Sequence, residues 1–355
     1  MKRIFTLAAI LAAAAYLLFW PVPVQPLAWQ APDAPALQGR YAPNDKLATA
    51  QPLAVNQGLG PEDIAIDDQG NLYVGYQDGR VVGFDPRGRH PRTIANTRGR
   101  PLGLGFAADG GLIVADSHRG LLRVDVPSGA VRVLSASADG VPFRFTNGVA
   151  IASDGAIYFS DASSKFGPAR QGRDDILEHG GHGRLLKYDP ATGVTTTLLS
   201  DLQFANGVAL SADESFLLVV ETGNYDIIRY WLKGERAGQH EVFFSNLPGI
   251  PDGLSSNGKG TFWVALYAPR NGALDAMSDK PLLRKLVFRL PRFMQPQPAR
   301  HAFVLGIDEN GQVTDNLQYQ AEDAFAPITS VRQYRGKLYL GSLTQSRFAV
   351  YSLTR

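Results

Sequence analysis

The chain has 355 residues, 45% of them apolar and 19% charged, with a formal charge of +2. That balance suits a globular protein and gives no footing for nucleic acid as a partner. It contains no cysteine, which excludes a disulfide framework, a thiolate nucleophile and a zinc–thiolate site without fixing the compartment.

The N-terminus opens with Met1-Lys2-Arg3 and an uncharged, mostly apolar run from Ile4 to Trp20. As a helix that run is roughly 26 Å long, near the short limit for crossing a bilayer. Residues 1–20 therefore read as a membrane anchor, or alternatively as a signal peptide. As an anchor, Lys2 and Arg3 stay cytoplasmic and the rest lies in a periplasmic, luminal or extracellular space; as a cleaved signal, the protein is secreted. Residues 21–50, rich in Pro, Ala and Gln, read as a linker and lead-in.

From residue 51 to 355 one frame returns six times: Pro61-Glu62-Asp63-Ile64, Pro101-Leu102-Gly103-Leu104, Thr146-Asn147-Gly148-Val149, Ala205-Asn206-Gly207-Val208, Pro251-Asp252-Gly253-Leu254 and Ile328-Thr329-Ser330-Val331. Each copy leads into short β-branched and aromatic runs split by turn residues, as in Leu72-Tyr73-Val74-Gly75 and Ile157-Tyr158-Phe159-Ser160-Asp161. The spacing of about 40 to 80 residues, with several strands per copy, predicts an all-β, six-bladed β-propeller. The longer gaps hold insertions at 163–183 and 266–300. A strand from residues 40–58 is expected to complete the last blade and leave no open sheet edge.

The second position of the frame reads Glu62, Leu102, Asn147, Asn206, Asp252 and Thr329. In a propeller these positions meet at the axis. Asn-Gly and Asp-Gly are also ordinary turn pairs, so each alone could be only a turn. Together, Glu62, Asn147, Asn206 and Asp252 offer two carboxylates and two amide oxygens, a donor set for a hard cation. Ca²⁺ accepts roughly six to eight oxygens and fits better than Mg²⁺ or zinc.

Three other features invite a role. His118, at the end of a blade-two strand, is a candidate general base or a solvent-facing turn residue. His179 and His182 lie in a Gly-rich insertion and could belong to a lid over the channel, or to a plain surface loop. Residues 280–290 are basic and amphipathic, suited either to a membrane interface or to packing on the propeller.

The block from Tyr158 to Phe166, with Gly183-Arg184-Leu185-Leu186-Lys187-Tyr188-Asp189-Pro190 after it and Phe145-Thr146-Asn147-Gly148 and Ala205-Asn206-Gly207 around it, resembles the strictosidine synthase-like branch of the calcium-dependent six-bladed propellers. With its apolar N-terminus the chain is similar to single-pass members of that branch that have arylesterase-like activity. The resemblance implies calcium ligands at Glu62, Asn147, Asn206 and Asp252, and a nucleophile or general base at Asp252. Strictosidine synthase itself uses a glutamate where this chain has Thr329, which cannot take a proton at neutral pH, so the condensation of the family name is not expected. Paraoxonases of the wider group hold a second calcium; Asp63 could serve it, but Gly148 stands where a further carboxylate would be.

The expected function is a calcium-dependent hydrolase of a small ester or lactone, with Asp252, Glu62 and His118 as the catalytic candidates. The alternatives are a non-catalytic, calcium-stapled binding platform and, less favoured, a carbon–nitrogen condensing enzyme.

Overall fold

The computed structural model describes residues 1–353. Its central part is a six-bladed propeller of four-stranded antiparallel sheets. The innermost strands are Ile64–Ile66, Pro101–Phe106, Thr146–Ile151, Ala205–Leu210, Gly249–Ser256 and Ser330–Tyr334, in blade order. Each blade then runs outward through three further strands. The exception is blade six, whose outermost strand is Gln51–Leu53 from the start of the ring. There Leu53 pairs with Phe348 and Pro52 with Ala349. Pro52 is tolerated because an outermost strand needs no donor on its free side. The closing strand thus falls inside the expected 40–58 window.

The core is built between blades, not within one. Each second strand is buried on both faces and reads as an apolar run, Phe216-Leu217-Leu218-Val219-Val220 being an example. Alternation divides that run. Phe216, Leu218 and Val220 pack toward blade five, while Leu217 and Val219 pack toward blade three. The same division produces one apolar cluster at every blade–blade seam.

All six inner strands begin at one end of the ring, here the upper end. The insertions between second and third strands of blades three and five rise from that same end. The first, 162–182, carries a short helix, Arg173–Glu178. The second, 270–301, carries helices Gly272–Asp275 and Pro281–Arg289 and a 3₁₀ turn, Arg292–Met294. In chain order, α1 is Lys2–Phe19 and these helices are α2, α3 and α4.

Residues 21–50 lie along the propeller. Tyr41 and Leu47 enter the seams of blades four–five and five–six. Leu27 N donates to Glu178 O (2.8 Å) and Trp29 N to Ser278 O (3.2 Å), so this stretch crosses both insertions. α1 is long and apolar enough to span a membrane, and the propeller buries none of it.

Phe348 is fully buried and meets Phe84 edge to face (5.8 Å) across the seam between the last blade and the first. Phe348→Ala should cost about 3–5 kcal/mol, read as a lower urea midpoint, because the cavity opens where the ring is closed.

Candidate metal centre

The upper end of the channel is narrow because the inner strands approach each other too closely for side chains. A Cβ at Gly103, Gly148, Gly207 or Gly253 would lie 2.3 Å from Asn147 O, 2.6 Å from Asn206 O, 2.1 Å from Leu254 N or 2.4 Å from Thr329 O, respectively. Glycine at the third position of the frame in blades two to five is therefore a packing requirement, and the reason Gly148 is not a carboxylate. The residue before it projects into the channel.

Glu62, Asn147, Asn206 and Asp252 line one central cavity of about 30 Å³. The first three are buried and Asp252 is partly buried. Asn206 Nδ2 donates to Asp252 Oδ1 (2.7 Å) and to Thr222 Oγ1 (3.2 Å), while the Thr222 hydroxyl donates to Pro251 O (2.8 Å). That chain of donors fixes the amide orientation and leaves Asn206 Oδ1 free. Glu62 Oε2 accepts from Arg100 (3.2 Å). Among the described residues, no protein donor reaches Glu62 Oε1, Asn147 Oδ1, Asn206 Oδ1 or Asp252 Oδ2. Four oxygens from four blades thus share a cavity without donors, which fits a hard cation. No group of three or more His, Asp or Glu is gathered for a metal among the described residues, so a site here depends on the two amides.

The electrostatics point the same way. Burial pushes Glu62 up to about 7, with Asp63 adding to the rise and Arg100 opposing it. Asp252 is raised well above the ordinary carboxylate range, by burial first and by the Glu62 charge second. A bound dication relieves both effects.

Below this level, Asp63 accepts from Arg332 (2.9 and 3.2 Å), from Ile64 N (2.9 Å) and from Leu104 N (3.1 Å), and Arg332 also donates to Leu104 O (3.1 Å). A guanidinium supplies the positive charge at Asp63, the residue that a second calcium would need. Thr329 donates its hydroxyl to Glu62 O (3.1 Å) and offers no base.

His118 is placed apart from these residues. It is exposed in the turn after the second strand of blade two, where its N–H caps Asp116 (3.0 Å), and it does not line the cavity. His179 and His182 act as ties. The His179 ring stacks on Trp29 (4.1 Å) and stays neutral, pushed down to about 4 by burial and the Arg284 charge. His182 bonds Glu178 (2.8 Å), which also accepts from Lys165 and Gln25 N.

Three neighbours of the site carry no local sequence signal. Arg100 stands two residues before Leu102, the one apolar second position, and reaches back to Glu62. Arg332 meets Asp63 from the other end of the chain. Tyr267 has its phenol pushed up by burial and by the charges of Asp252 and Glu62, and it lines a second cavity of about 190 Å³ with Arg300, Thr344 and Gln345. A signal was available for another group: an acid ends the second strand of blades two, three and four. Asp116, Asp161 and Glu221 accept from Arg100 N, Phe145 N and Gln203 N, which sets the loop entering each inner strand.

Comparison with known proteins agrees with this architecture. Residues 147–235 match the strictosidine synthase family model, and residues 39–84 match the strictosidine synthase-like N-terminal model. The strictosidine synthase-like protein 10 of Arabidopsis thaliana is 37% identical over 87% of this chain and 89% of its own length. The adipocyte plasma membrane-associated protein of Rattus norvegicus is 35% identical over 90% of each. The chain belongs to the strictosidine synthase-like family. In fold it is similar to a gluconolactonase from Xanthomonas campestris (TM-score 0.62, 20% identity, 94% of this chain and 99% of that one). It is also similar to a calcium-binding regucalcin from Agrobacterium tumefaciens (TM-score 0.60, 15% identity, 86% and 94%).

Two outcomes are expected. Gly207→Ala should force the inner strands of blades four and five apart, weakening calcium binding in calorimetry and lowering the melting temperature. For the second, raised carboxyl pKa values mean that the metal-free folded chain binds more protons than the unfolded chain. Its stability contribution from these groups is therefore present at low pH and lost as pH rises from the unfolded value near 4 through about 7. A cation held by these carboxylates would offset that loss, so the gain in melting temperature on adding Ca²⁺ should be larger at pH 8 than at pH 5.5, with proton release on binding.

Proposed function

We propose that this protein is a membrane-anchored hydrolase that cleaves a small ester or lactone at the upper end of its channel, with Ca²⁺ held by Glu62, Asn147, Asn206 and Asp252. The observation that carries the reading is the set of four donor-free oxygens, one from each of four blades, around one cavity. A calcium ion there supplies Lewis-acid polarisation of an acyl oxygen.

The chain's own residues supply the rest. Arg100 balances Glu62 and holds it in place. Asn206 fixes one oxygen of Asp252, and the other faces the cavity to take a proton from water. The water oxygen adds to the acyl carbon, the acyl–oxygen bond breaks, and the proton returns to the departing alkoxide. From an ester this yields acid and alcohol, and from a lactone a single hydroxy acid. Tyr267, whose phenol is raised in part by the charges of Asp252 and Glu62, borders the second cavity, to which we assign the remainder of a small substrate. The fold shared with a gluconolactonase and a calcium-binding regucalcin supports this class. α1 and the likeness to a plasma membrane-associated protein support the anchor, with the propeller on the non-cytoplasmic side; a secreted form after cleavage is the alternative.

A calcium-stapled binding platform is the second reading, favoured by one fact: among the described residues, no histidine lines the cavity. A condensing enzyme draws no support from Thr329, whose hydroxyl is spent on Glu62 O.

The deciding experiment follows phenyl acetate and γ-lactone hydrolysis by the full chain in detergent during a calcium titration. We expect calcium-dependent turnover that chelation abolishes and that Asp252→Asn lowers by about 10²- to 10⁴-fold. Calcium that raises the melting temperature with no turnover of either substrate class establishes the platform instead.

A further inference from the structure

α4 turns Arg284 and Phe288 inward and Leu282 and Leu283 outward. Arg284 and Phe288, one turn apart, are buried; Arg284 donates to Leu27 O (2.6 Å) and Ser278 O (3.2 Å), and Phe288 packs with Val24 and Phe166. At 100° per residue, Leu282 and the half-buried Leu286 fall on the opposite face, with Leu283 beside them. Leu282 is 78% exposed, and beyond the helix Phe293 and Met294 are 83% and 57% exposed. Such a run of large apolar side chains on one insertion is uncommon on a surface that faces only water. Between residues 280 and 300 there are six basic residues and no acidic one.

The position of this patch identifies its occupant. Arg289 caps the C-terminal end of α1, donating to Trp20 O (2.7 Å) and Leu17 O (2.9 Å), and Tyr16 donates back to Arg289 O (3.2 Å). Tyr16 and Trp20 pair at that end of α1 (5.6 Å between rings), where an aromatic belt marks the headgroup level of a spanning helix. α4 is therefore held at the depth where α1 leaves the bilayer.

We propose that α4 and the turn after it form a second membrane contact. Leu282, Leu283, Phe293 and Met294 enter the acyl boundary of the leaflet that α1 exits, and Lys280, Lys285 and Arg292 lie against anionic headgroups. The upper end of the propeller then faces the lipid. The inference rests on α1 crossing the bilayer, which extraction by alkaline carbonate tests separately.

The absence of cysteine makes the test clean. Phe293→Cys, Leu282→Cys and Lys259→Cys, each alone in the full chain, are labelled with an environment-sensitive fluorophore and reconstituted into vesicles of phosphatidylcholine, with and without phosphatidylserine. Lys259 is exposed in a turn at the opposite end of blade five. Spin-labelled lipid should quench the labels at 293 and 282 several-fold more than the label at 259, and iodide should do the reverse. Phosphatidylserine should strengthen the lipid quenching, and Lys280→Glu with Arg292→Glu should remove that increment. Equal iodide quenching at 293 and 259, in a chain that resists carbonate, overturns the proposal while leaving the anchor intact. Shielding from both quenchers that grows with protein-to-lipid ratio assigns the patch to a second copy of the chain and overturns it as well. Release by carbonate overturns the anchor itself.

Discussion

The structure depends on how closely six strands can approach one axis. Where the inner strands meet, backbone atoms of one blade occupy the space a side chain would need on the next, and four glycines of the recurring frame answer that limit. The residue before each glycine has only the channel to enter. Polar side chains in that slot therefore share one small space, and two carboxylates are brought within range of each other's charge. The cost of crowding like charges in a dry place is met in part by Arg100 and Asn206, and what remains favours a cation. Backbone packing, more than any local motif, is what turns a repeated turn sequence into a donor set.

Much of this was legible from the chain. The frame recurs six times, so the blade count and the inward slot could be read from repetition alone, and the alternation of apolar runs matches sheets buried on both faces. Closure by an early strand followed from the need to remove edges, and Gln51–Leu53 fulfils it. Four things were not legible, for physical reasons. The partnership of Asp63 with Arg332 joins residues 269 apart in sequence, so no window contains both. Arg100 reads as a loop cation unless the apolar Leu102 beside it is known to leave room toward Glu62. His118 lies at the end of a strand, and strand alternation cannot say where a turn will send its side chain; capping of Asp116 sends it outward. Residues 21–50 read as a linker by composition, yet Val24, Tyr41 and Leu47 are buried. Proline-rich segments can pack without regular hydrogen bonding, and composition is blind to that.

The upper end of the ring gathers the parts that differ from a plain propeller. Two insertions, the stretch from Pro21 to Ala31 and the end of α1 interlock there through Glu178, Trp29, Ser278 and Arg289. Polar ties carry much of this layer, since its apolar cluster is small, with Val24, Phe166 and Phe288 at its centre. The propeller beneath is held by six large seams. The two layers thus differ in what holds them: the ring by apolar area, the cap by buried carboxylates, imidazoles and carbonyls.

The ion pair under the cavity has a consequence for how the ring is joined. Arg332 reaches from blade six to Asp63 on blade one and to the backbone of blade two, with every oxygen of Asp63 engaged. It lines the base of the cavity. A ring of six blades is by geometry a tube, and here a charged tie between three blades sits directly beneath the four oxygens. The floor of that space is therefore held by charge and not by apolar contact, and it ties the first, second and last blades together at the axis as well as at their seams.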